Sequence, residues 1–195
     1  MTAILALVAF SFVSSGTPGP NNVMLWASGA SFGFRRTVPH IVGTAVGIGI
    51  MTLAAAAGLA ALISALPGLA FVMKLAGSAY LLYLAWQVAH AGAIEAGVLA
   101  RPMGLGSAAA FQVVNPKAWI FALGAVTTFR PAELSPLAGT ALVALVMAAV
   151  ILPTASIWAA AGGVIGRLVT SPRTRTAVSL VLAAMVVASV ALVWI

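Results

Sequence analysis

Long apolar runs separated by short polar punctuation make up most of this chain. Six stand out: Thr2 to Phe34, about Val38 to Leu66, Leu69 to about Ala91, Leu105 to Phe129, Leu137 to about Ile165, and Thr176 to Ile195. A helix crosses the hydrocarbon core of a bilayer with about 20 apolar residues. The pattern therefore predicts an all-α, polytopic membrane protein with six transmembrane helices in a single domain, residues 1–195. Pro39 opens the second run as a first-turn proline, Pro67-Gly68 ends it, and Pro153 interrupts the fifth. The segment His90 to Pro102 makes the longest internal connection, and Arg130-Pro131-Ala132-Glu133-Leu134-Ser135-Pro136 a short loop.

The first run is too long to be one straight span. Unbroken from Thr2 to Phe34, it would extend about 50 Å across a core about 30 Å thick. It carries Ser14-Ser15-Gly16-Thr17-Pro18-Gly19-Pro20-Asn21-Asn22, where two prolines around a glycine remove backbone donors and interrupt regular helix. At membrane depth such a break is tolerated where it is packed in protein or lines a cavity. The fourth run has a counterpart at Asn115-Pro116-Lys117. Each proline predicts the first turn of a new half-helix, with N-H groups and a positive dipole end directed at mid-membrane. Two such ends facing each other suit an anion, such as an amino acid carboxylate.

Pro20 and Pro116 stand 96 residues apart, and the same offset maps Gly43-Thr44-Ala45 onto Gly139-Thr140-Ala141. This suggests a duplication, with one repeat over about 1–95 and the other over about 100–195. Three helices per half invert the second repeat relative to the first. Gly29-x-x-x-Gly33, Gly43-x-x-x-Gly47 and Gly162-x-x-x-Gly166 predict close helix approach without naming partners.

Composition agrees: 63% of residues are hydrophobic, 6% are charged, and the mean hydropathy is +1.18. The net charge of +7 comes from scattered Lys and Arg, which gives no basic patch for nucleic acid. Arg35, Arg36, Arg101, Arg167, Arg173 and Arg175 follow odd-numbered runs, and Arg130 alone lies on the other side. The positive-inside rule then places both termini outside the cytoplasm. The amino terminus lacks the positive region of a signal peptide and is expected to be retained. Without cysteine, thiol chemistry is excluded. The acids Glu95 and Glu133 lie in loops, and no metal cluster or paired nucleophile and base stands out, so neither metal, cofactor nor enzymatic activity is expected.

Lys117 is the costliest residue, about twelve residues or roughly 18 Å from either end of its run and too deep to snorkel. It should face a cavity or donate to carbonyls freed by Pro116. Lys74 either lines the outer vestibule or snorkels outward. Tyr80 either donates to a substrate or is satisfied within the bundle. Asn21, Asn22 and Asn115 can serve a zwitterion or cap the broken helices. His40 and His90, near cytoplasmic ends, are expected to be solvated interface residues, with a proton-sensing role as the alternative.

Pro18-Gly19-Pro20-Asn21, Lys74-x-x-Gly77-x-x-Tyr80-Leu81 and Asn115-Pro116-Lys117, in that order, resemble the signature of the LysE/RhtB family of amino acid exporters. The resemblance covers nearly the whole length. It implies a multi-pass secondary transporter of the bacterial inner membrane that expels amino acids or analogues by alternating access in exchange for protons, and it suggests a homodimer among membrane lipids. The implied substrate-binding positions are Pro18, Gly19, Pro20, Asn21, Asn22, Lys74, Tyr80, Asn115, Pro116 and Lys117. Asn21-Asn22, where many relatives have Asp or another residue, points away from a dibasic substrate. Rival functions from the residues alone are a small-anion channel and a non-transporting membrane scaffold.

Overall fold

A computed structural model describes residues 2–59, 67–91, 101–169 and 171–194. The first run divides into α1 (Thr2–Gly16) and α2 (Pro20–Phe32), bent by 63°. Helix α3 (Phe34–Ala54) continues into a π-helical turn, Ala55–Leu59, and α4 covers Pro67–Ala91. The fourth run divides into α5 (Leu105–Val114) and α6 (Pro116–Phe129), bent by 80°. Helices α7 (Pro136–Leu168) and α8 (Pro172–Trp194) complete the described chain. Among the described residues, three helices are long and apolar enough to cross a membrane, or up to five spans if each bent pair is one.

Both half-helices begin at the predicted prolines, where a missing N-H leaves no hydrogen bond unmade. Two other prolines behave differently from expectation. Pro39 lies inside α3, whose first turn already includes Arg35 and Arg36. Pro153 lies inside α7, which runs on unbroken. A lone proline removes one backbone bond, and next to Pro153 the Thr154 hydroxyl donates to the carbonyls of Val150 and Ile151. The paired prolines at residues 18 and 20, with an extended Gly19 between them (φ −177°), leave no such continuity. Glu95 and most of the connection predicted over His90 to Pro102, like the predicted end of the second run at Leu66, lie outside the described residues.

Helices α1, α2, α3, α6 and α7 enclose one apolar core, which includes Leu7, Leu25, Ile48, Phe121, Met147 and Ile151. A second core joins α2 to α4 and α8 through Val23, Trp26, Leu81, Val88 and Val186. The outer faces are apolar too: Leu5, Leu137 and Leu168 are each at least 70% exposed. Apolar surface on both sides of a helix wall suits lipid outside and packing inside.

Glycines fix the crossings. A Cβ on Gly29 would lie 1.9 Å from the Ala159 carbonyl oxygen, and one on Gly162 2.0 Å from that of Trp26, so α2 and α7 touch backbone to backbone. Gly43 and Gly47 admit α5 in the same way, against Leu105, Ala108 and Ala109. Gly33 has another role, closing α2 with φ +80°, a conformation open to glycine. Gly43 and Gly139, aligned by the offset of 96, have different surroundings. Gly139 faces Arg130 and Pro131 at the start of α7. The two glycines therefore make different contacts, whereas Pro20 and Pro116 both begin helices.

Candidate functional site

The two breaks meet. Gly19, Pro20, Asn21 and Asn22 from the first line the same cavity as Asn115, Lys117 and Ala118 from the second. Ser14, Ser15, Thr44, Gln112 and Thr154 add polar groups, and Ile48, Phe121, Ile151 and Ala155 form its apolar side. Its volume of about 50 Å³ holds about four waters, comparable to the zwitterionic head of an amino acid. Neither half-helix start has a side-chain cap, although at the second the Ala118 N-H already donates to Asn115 O.

The carbonyl groups at the first break are fully accounted for. Thr17 donates its N-H to Val13 and its hydroxyl to Ser14. Asn22 Nδ2 donates to the Ser15 and Thr17 oxygens at 2.7 and 2.8 Å, and Trp158 Nε1 to Gly16. Lys117 Nζ donates to Thr17 O and Oγ1, both at 2.8 Å, and to Pro18 O at 3.2 Å. The Val23 N-H takes Gly19. From Val13 to Gly19 no carbonyl is orphaned, which is what allows irregular backbone away from water.

Lys117 faces the cavity, as one expectation had it, and the other is corrected. Its ammonium serves the carbonyls of the first break, not those freed by Pro116, and all three of its donors are engaged there. A charge at mid-membrane costs about 2.5–3.5 kcal/mol, which three charge-assisted hydrogen bonds offset. Asn22 likewise caps the end of α1 and not the start of its own helix.

Asn21 occupies the position after Pro20 that Lys117 occupies after Pro116, and it too reaches across. Its Oδ1 accepts from Gln112 Nε2 at 2.9 Å, from Thr44 Oγ1 at 3.1 Å, and from His40 Nε2 at 3.4 Å. Asn115 Nδ2 donates to Gln112 Oε1 at 3.2 Å, while its own Oδ1 is buried without a donor. A chain of side chains thus runs from Asn115 through Gln112 and Asn21 to His40. The exposed interface position expected for His40 is not found: it is fully buried. His90 is exposed as expected.

Pro18 contributes its carbonyl to Lys117 without lining the cavity. Pro116 packs outward on Gly77, where a Cβ would lie 3.0 Å from Val114 O and 3.3 Å from Pro116 Cγ. Gly77 is therefore where α4 crosses the second break. Lys74 and Tyr80 are not brought to the cavity. Lys74 Nζ lies 5.9 Å above the Trp194 ring, and Tyr80 packs on Phe111. Sequence reasoning missed Thr44, Gln112 and Thr154, and placed His40 at the interface. Two signals were present: His40-x-x-x-Thr44 puts two polar side chains on one helical face, and Gln112 precedes Asn115 by one turn.

Fold and site together define an all-helical, multi-pass membrane protein in which two broken spans surround a small cavity lined by both polar and apolar groups. Within that class the chain belongs to the LysE type translocator family, whose profile matches residues 12–195. Members of this family are transporters, not enzymes. The chain is 28% identical over 167 residues to the "Cysteine/O-acetylserine efflux protein" of Escherichia coli (strain K12), covering 86% of each. It is 30% identical over 170 residues to the protein of that name from Shigella flexneri serotype 5b (strain 8401), covering 86% of this chain and 87% of the relative. No solved structure matches the chain.

Proposed function

We propose that this protein exports small neutral amino acids of the cysteine and O-acetylserine type across the bacterial inner membrane, by alternating access and in exchange for protons. The observation that carries this reading is the cavity shared by the half-helix starts at Pro20 and Pro116. The substrate carboxylate accepts from first-turn N-H groups of α2 and α6. Its ammonium donates to Asn115 Oδ1, the buried acceptor that lacks a donor. Among the lining residues there is no carboxylate, so a cationic side chain would find no counter-charge. The relatives named for cysteine and O-acetylserine efflux support a substrate of this kind.

Six spans follow if α4, 25 residues long, crosses beside the two bent pairs and the three continuous helices. Two inverted repeats fit the way the elements pack. Helix α7 packs on α1 as α3 packs on α5, α7 on α2 as α3 on α6, and α4 pairs with α8. The match is closest for α1 with α7 and α5 with α3; α7 packs far more extensively on α2 than α3 does on α6. Access alternates as one repeat rocks against the other, and the positive-inside bias sets both termini in the periplasm. The reading of Lys117 changes accordingly: it braces the site shut between breaks and does not itself hold the carboxylate.

The test is counterflow in proteoliposomes, with labelled, reduced L-cysteine outside and unlabelled L-cysteine inside. Saturable uptake that requires internal substrate is expected. Flux that neither saturates nor responds to internal substrate would indicate a channel, and no flux at all would leave a scaffold.

A further inference from the structure

Besides Asn115 Oδ1, the cavity has a second place that lacks a donor. Ser15, in the last turn of α1, and Thr154, in the middle of α7, both line it, and their hydroxyl oxygens lie 2.9 Å apart. We propose that this hydroxyl pair receives the substrate side chain, and that it selects short amino acids whose side chain carries a hydrogen-bond donor, a hydroxyl or a thiol. This inference rests on the export reading and names the substrate class of the same site.

The selection follows from counting hydrogens. Each hydroxyl has one hydrogen to give and two lone pairs that accept. Ser15 Oγ lies 2.6 Å from Ser11 O, and Thr154 Oγ1 lies 3.0 and 3.1 Å from the carbonyl oxygens of Val150 and Ile151. Two hydrogens therefore serve the carbonyls of two helices and the contact between the hydroxyls as well. If Ser15 donates to Ser11 and Thr154 to Ser15, the Thr154 oxygen accepts nothing. If Thr154 donates to its own helix and Ser15 to Thr154, the Ser15 oxygen accepts nothing. If each donates to its own helix, both oxygens are bare. Among the described residues no other group donates to either one. In every arrangement the pair has an acceptor to spare and no spare hydrogen. A substrate donor completes the pair without disturbing it, whereas a substrate acceptor must draw a hydrogen out of one of these bonds.

Position separates the pair from the groups that hold the rest of the substrate. Asn115 belongs to the amide chain with Gln112 and Asn21. Thr154 is flanked on α7 by Ile151 and Ala155, which with Ile48 and Phe121 form the apolar side. With the carboxylate at the half-helix starts and the ammonium at Asn115, this side is what remains for the side chain. A cavity of about 50 Å³ leaves room for a short one. L-Cysteine and L-serine meet both conditions. L-2-Aminobutyrate, with a methyl group in place of the thiol or hydroxyl, meets only the first, and the ester of O-acetylserine offers acceptors alone.

The test is competition against labelled, reduced L-cysteine in the counterflow assay. In wild type, L-serine should half-inhibit at about fivefold lower concentration than L-2-aminobutyrate, the equivalent of one net hydrogen bond. Ser15→Ala combined with Thr154→Val removes both oxygens with little change of shape, and the ratio should fall to about one. Ser15→Ala combined with Thr154→Ser keeps one hydroxyl, which donates to its own helix and accepts from the substrate, so the preference should be retained. A wild-type ratio of one overturns the inference and leaves the export reading intact. So does the wild-type ratio persisting in the variant without hydroxyls, even where both competitors bind more weakly, because the pair would then hold a group common to both. Should that variant fail to accumulate in membranes, the wild-type ratio decides alone. No counterflow in wild type overturns both readings.

Discussion

Lys117 Nζ lies 2.8 Å from the carbonyl oxygen of Thr17, a hundred residues earlier in the chain. The residue following one break proline closes the other break. Asn21, following Pro20, does the corresponding work by accepting from Gln112 in the last turn of α5. The two interruptions are therefore held by one another, and a change at either should be felt at both.

Lys117→Gln removes the ammonium from three oxygens at the end of α1. Thr17 and Pro18 are exposed, and Thr17 O keeps its bond from Asn22, so the lost hydrogen bonds cost about 0.5–1.5 kcal/mol, which lowers Tm by about 2–4 °C per kcal/mol in a chain of this size. We expect reduced thermal stability in detergent together with loss of exchange. Wild-type stability and counterflow would remove Lys117 from the brace. Lys74→Gln, at the Trp194 edge, should leave counterflow near wild type.

Gly19→Ala separates the brace from the fold. The backbone there is extended and open to alanine, but the new Cβ would lie 2.9 Å from Lys117 Cδ and 3.1 Å from Nζ. A flexible side chain can move aside, so Tm should fall by less than in Lys117→Gln. Counterflow should fall by about tenfold, as expected for a weakened charge-assisted contact. Unchanged counterflow would show that the lysine is not needed in this position.

Gly29→Ala and Gly162→Ala meet backbone, not side chain. Overpacking of this kind costs about 1–3 kcal/mol or more, and no rotamer relieves it. Each variant should accumulate poorly in membranes and unfold at lower temperature. Gly16→Ala, with open space around its Cβ position, is the control.

Gln112→Leu breaks the link from Asn115 to Asn21 and leaves buried amide groups of both without that partner. A cost of about 1–3 kcal/mol is expected, and L-cysteine should no longer raise Tm. A ligand-induced shift equal to wild type would place the substrate elsewhere.

The sequence by itself determined the helical class, the two interruptions, the prolines at which new helices start and the family. Each follows from a local cost: a span of fixed length, a missing N-H, or a run of apolar residues. Glycine spacing marked where helices approach closely, but Gly29 finds α7 and Gly43 finds α5 only in three dimensions. Tertiary structure decided what the polar side chains serve. Lys117 looked like a cation awaiting an anion because its acceptors, Thr17 and Pro18, lie a hundred residues away. His40 looked peripheral because Asn21, its partner, belongs to another helix. In a chain this apolar every helical face looks alike, so composition cannot say which face turns inward. Close packing at glycines and the need to satisfy each freed carbonyl make that choice, and both depend on contacts between distant residues.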